Sequence, residues 1–70
     1  MKNNIKQLRE VRGISQGKLA LMCSVSRQTI NAIENNKYDP SLELAFGIAD
    51  ALETKVDSVF KYQKKEKKRG

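Results

Sequence analysis

Apolar residues along the first 60 positions recur at steps of three and four, the period of helices that bury one face. Ile5, Leu8 and Val11, with Lys6, Arg9, Glu10 and Arg12 among them, predict a helix over 4–12, which Gly13 ends in a left-handed C′ position. Ile14 then folds back on its last turn. Ser15 is an N-cap for a short helix over 16–23 with Leu19, Ala20 and Cys23 as its stripe, although Gly17 in the first turn costs about 1 kcal/mol against alanine. Ser24 and Val25 interrupt, and Ser26 caps a third helix over 27–35 with Ile30 and Ile33 three apart on one face. Residues 35–40 form a turn cluster. Ser41 caps a fourth helix, where Leu42, Ala45, Ala49 and Leu52 make a stripe that Leu44, Phe46 and Ile48 widen, as expected of the centre of a core. Asp57 is placed to cap a last short helix carrying Val59 and Phe60, with Val56 packing in front. No repeat and no run of strand type appears. The expected fold is all-α: a compact five-helix domain over 1–60, followed by a basic tail over 61–70.

Size and composition narrow the function. Seventy residues make one domain, with about 60% of the unfolded surface buried and little room for a deep catalytic cavity. There is no histidine and one cysteine, Cys23, which removes disulfide frameworks, zinc sites and histidine-based catalysis, and suits an intracellular, cytoplasmic setting at the nucleoid. No nucleophile with a base, metal set or phosphate cradle can be assembled, so neither enzyme activity nor a cofactor nor a metal is expected. No stretch reaches the length of a membrane span. The net charge of +6 is unevenly spread: residues 1–38 carry seven bases against two acids, 39–60 one base against five acids, and 61–70 six bases against one acid. A basic half adjoining an acidic half implies that one face meets a polyanion, while the tail reads as a solvated arm.

The informative span is 16–35. Two short helices joined by a tight turn, the second opening on polar residues, is an arrangement that lays one helix in a DNA major groove. Small Ala20 lies where the two helices approach most closely, and Leu19, Cys23, Val25, Ile30 and Ile33 close the core beneath them. Inward-facing Ile30 and Ile33 leave Arg27, Gln28, Asn31, Ala32 and Asn35 on the outer side. Of these, Arg27 can pair bidentately with guanine, Gln28 or Asn31 with adenine, and Ala32 can pack on a thymine methyl.

The stretches Ser15-Gln16-x-x-Leu19-Ala20, Val25-Ser26-x-x-x-Ile30-x-x-Ile33-Glu34-Asn35 and Lys37-x-x-Pro40-Ser41-Leu42, followed by Ala45-x-x-Ile48-Ala49-x-x-Leu52, resemble the Cro-like and lambda-repressor-like (Xre) helix-turn-helix regulators. Ser24 stands where that pattern has glycine, Gly17 where it has a helix former, and Cys23 where leucine is common; a buried small hydrophobe is the expected role of Cys23. The resemblance implies a double-stranded DNA-binding transcriptional regulator of bacterial or phage type that represses by occupying a palindromic operator. It further implies backbone contacts from Gln16, with Thr29, Asn35, Asn36, Lys37 and Tyr38 as similar candidates, and an Arg9–Glu34 ion pair that orients the helices. Asn36 equally suits a left-handed turn, and Lys37 a solvated position. A weak or DNA-assisted homodimer is expected, for which Val56, Val59, Phe60, Leu52 and Tyr62 either form an isologous contact or pack within the monomer. An antitoxin-like or adaptor module, whose DNA binding is secondary to a protein partner, is the alternative favoured by the acidic 39–60 segment.

Overall fold

The computed structural model describes residues 1–62, and the tail beyond lies outside the described residues. Five helices follow one another: α1 Ile5–Arg12, α2 Gln16–Cys23, α3 Arg27–Glu34, α4 Leu42–Ala51 and α5 Val56–Val59. The serine caps form as expected. Ser15, Ser26 and Ser41 each accept the amide N–H three residues on, from Lys18, Thr29 and Leu44. Gly13 ends α1 at φ 68°, where only a residue without Cβ is unstrained, and Ile14 donates its N–H back to Arg9 O at 2.9 Å.

Three expectations change. The chain is not strand-free: β1 Lys2–Asn3 pairs antiparallel with β2 Phe60–Lys61, a two-residue ribbon that ties together the start and end of the domain. Two residues are too few to show any periodicity. Asp57 does not cap α5, because Lys55 occupies that position without a side-chain hydrogen bond and Phe60 leaves the helix for β2. The apolar stripes are also narrower than their sequences suggest. Val11, Leu42 and Phe46 are exposed, at 85, 72 and 58%.

The core is Ile5, Leu19, Ala20, Ile30, Ile33, Ala45, Ile48, Ala49, Leu52, Val59 and Phe60. Three of these, Ala45, Ile48 and Ala49, come from α4 and Leu52 is its C-cap, so this helix underlies the others as expected. Leu52, Val59 and Phe60 are buried inside the monomer and half-buried Val56 packs against that core, which leaves Tyr62, exposed, outside it. Val25 donates its N–H to Ala20 O at 3.0 Å, closing the turn between α2 and α3. That turn sets Ser24 at φ 59°, the left-handed conformation anticipated from the missing glycine. Ser24→Gly is therefore expected to raise stability by up to about 1 kcal/mol, part of the relieved strain being offset by the freer unfolded glycine. A rise of a few degrees in melting temperature checks it, and a fall would contradict it.

Candidate nucleic-acid interface

Ser26 organises the start of α3: its Oγ accepts the Thr29 N–H at 3.1 Å and shares a 2.9 Å hydrogen bond with the Thr29 hydroxyl. Thr29 is thereby half-buried and occupied by the cap. Arg27 and Gln28, the first two residues of the helix, stand exposed, as do Asn31 and Asn35 one and two turns on. Arg27, Gln28 and Asn31 line a shallow depression of about 510 Å³ together with Gln16 and Ser26. Among the described residues, no acidic side chain lines it. Ala32 does not line it either and is half-buried, so three of the four residues assigned to base reading come together and Ala32 stands apart.

A hydrogen-bonded chain runs from the core to this face. The Arg9 guanidinium donates from Nε to Glu34 Oε2 at 2.6 Å and from Nη2 to Glu34 Oε1 at 3.3 Å, while Nη1 donates to Ile14 O at 2.9 Å. The two side chains are only 11 and 6% exposed. The hydrogen bond to Glu34 raises the Arg9 pKa above its ordinary value in spite of burial, so the guanidinium is charged at neutral pH. Glu34 Oε1 also accepts from Gln16 Nε2 at 3.0 Å, Gln16 Oε1 accepts from Asn31 Nδ2 at 3.5 Å, and Asn35 Nδ2 donates to Asn31 O and Oδ1 at 2.9 and 3.3 Å. Gln16 thus couples the ion pair to the outer face of α3, a link that neither hydropathy nor charge signals in the sequence. As the first residue of α2, Gln16 also lies among amides that have no intrahelical acceptor, at the positive end of the helix dipole.

The turn after α3 carries the remaining positions. Asn36 adopts φ 60°, the left-handed turn role, and its Oδ1 accepts from Asn3 Nδ2 at 3.2 Å. Asn3, which sequence reasoning passed over, also donates to Ile33 O at 2.9 Å and braces the end of α3. Lys37 and Tyr38 are exposed. Cys23 is half-buried against the core, and desolvation pushes its thiol pKa up, which disfavours a reactive thiolate. No helix among the described residues is long and apolar enough to cross a membrane.

Capped helices at this crossing, with a polar second helix turned outward over a basic depression, define a helix-turn-helix domain. Residues 5–59 match the family HTH_3, described as helix-turn-helix, and the chain belongs to this Cro-like, lambda-repressor-like family. An HTH-type transcriptional regulator of Methanocaldococcus jannaschii is 49% identical over 63 residues, covering 90% of this chain and 96% of its own. Among solved structures, the restriction-modification controller protein C.AhdI of Aeromonas hydrophila superposes with a TM-score of 0.75 at 27% identity, over 80% of this chain and 85% of its own. SinR of Bacillus subtilis, a master regulator for biofilm formation solved in complex with DNA, gives 0.71 at 29% identity, over 77 and 87%. Membership places the chain among regulators, not enzymes.

Proposed function

We propose that this protein is a sequence-specific, double-stranded DNA-binding transcriptional regulator that represses by occupying its operator. The observation that carries the reading is the exposed Arg27–Gln28–Asn31 face, free of lining acids and held in register by Gln16 and Glu34. Major-groove base edges present acceptors and donors that these side chains complement, and an eight-residue helix about 12 Å long places its first turns deepest. Asn35, Asn36, Lys37 and Tyr38, exposed beside that face, contact the flanking phosphates together with Gln16 and Thr29. Ala32 adds a thymine-methyl contact at most along the groove wall.

The protein acts in the cytoplasm at the nucleoid, as a weak or DNA-assisted dimer on a palindromic operator. Support for self-association comes from a second shallow depression, about 560 Å³, where Phe46 and Val56 are flanked by Asp50 and Asp57. The exposed Phe46 and Leu42 equally suit an adaptor that meets a protein partner, and Arg27 separates the two readings, being dispensable only for an adaptor.

Selection from a randomised duplex pool tests the proposal. The expected product is an inverted repeat with half-site centres about 34 Å apart, whose placement over a promoter lowers transcription. Failure to enrich any sequence would refute sequence-specific binding.

A further inference from the structure

The terminal ribbon carries charge that neither the core nor the α2–α3 face uses. Its register sets Lys2 opposite Lys61 and Asn3 opposite Phe60. Directly opposed residues share a face of the ribbon. Phe60 is buried, so the Lys2 and Lys61 side chains project together from the other, outer face, and both residues are exposed. Among the described residues neither forms an ion pair with a carboxylate. Like charges at directly opposed positions are destabilising, so the free domain holds a repulsion that serves no packing purpose.

Asn3 fixes where that pair stands. Its Nδ2 reaches Ile33 O and Asn36 Oδ1, and its Oδ1 accepts the Ile5 N–H at 3.1 Å, which fastens β1 to the end of α3 and the following turn. The Met1 nitrogen lies 3.5 Å from Asp39 Oδ1, so the carboxylate of that turn is already engaged. The ribbon therefore adjoins the segment, Asn36 and Lys37, assigned to phosphate contact.

We infer that the outer face of the ribbon, Lys2 with Lys61, is a second phosphate-binding surface that grips the DNA backbone without reading bases. The inference rests on the DNA-binding function proposed above. A backbone phosphate against this face is attracted by both ammonium groups and screens them from each other; lysine suits the task because a point charge needs no fixed geometry.

Equilibrium titrations of the full chain on a selected and on a scrambled duplex, from about 50 to 200 mM salt, test it alongside thermal melts. Lys2→Gln/Lys61→Gln is expected to weaken both duplexes by the same factor and to flatten the log–log salt slope by about 1.8, so that the wild-type advantage shrinks roughly tenfold across that range. Lys61→Glu faces Lys2 with an opposite charge and is expected to melt higher yet bind DNA more weakly, a combination that a folding defect does not produce. Wild-type binding with unchanged slope and affinity in both variants would overturn the ribbon alone. Absence of duplex binding by the wild type would overturn the function and the ribbon together.

Discussion

Arg27→Ala is expected to weaken binding to the selected operator by about 1–3 kcal/mol, some 5- to 150-fold, and to relax preference at one base pair. The guanidinium stands exposed at the first position of α3, in the depression it shares with Gln28 and Asn31, on a helix whose start is locked by the Ser26 cap. A bidentate contact from that position is lost entirely on truncation, and Gln28 cannot replace a fork of donors. Binding to unrelated duplex is expected to fall far less, by the loss of one charge. Lys37→Ala provides the contrast: a uniform loss on every sequence and a salt slope lower by about 0.9. Anisotropy titrations on selected and scrambled duplexes separate these patterns, and equal losses on both for Arg27→Ala would make Arg27 a backbone contact.

Glu34→Ala has the largest expected effect on the fold. Glu34 accepts two hydrogen bonds from Arg9 and one from Gln16, so truncation strands a guanidinium that is 11% exposed and releases the residue that holds Asn31. Breaking one side of a buried pair typically costs about 3–5 kcal/mol, against a total stability of about 5–15. A fall of more than about 12 °C in melting temperature is expected, or failure to fold. Glu34→Gln, which keeps acceptor and donor groups but not the charge, falls between. The raised Arg9 pKa stabilises the fold fully below the ordinary guanidinium range and is lost only as pH rises through the raised value, so the melting temperature owes no pH dependence to this group near neutrality. A change of only a few degrees in Glu34→Ala would show that the pair does not brace the domain.

The helices were legible because serine caps and Gly13 punctuate them, and because Ile5, Leu19, Ile30, Ile33, Ile48 and Leu52 fall at helical spacing. Exposure of Val11 was not legible from spacing alone. Val11 lies about 120° around α1 from Ile5, and the inward position beside Ile5 belongs instead to Arg9, a charged residue that hydropathy counts as outward. Phe46 likewise falls outside the arc of Ala45, Ile48, Ala49 and Leu52. The outer face of α3 was readable, since two buried isoleucines leave little choice for Arg27, Gln28 and Asn31. What joins that face to the core was not, because the contacts of Gln16 with Glu34 and of Asn3 with Asn36 connect residues 18 and 33 apart in sequence and depend on tertiary placement.

A titration of wild type and Arg27→Ala/Gln28→Ala against the selected duplex and a scrambled duplex, at low and physiological salt, bears most directly on DNA reading by α3. The wild type is expected to prefer the selected duplex by about 10³-fold or more at physiological salt, and the variant to lose that preference while retaining weak low-salt binding to both. A variant that kept the preference, or a wild type that bound both duplexes equally, would contradict base recognition by this helix.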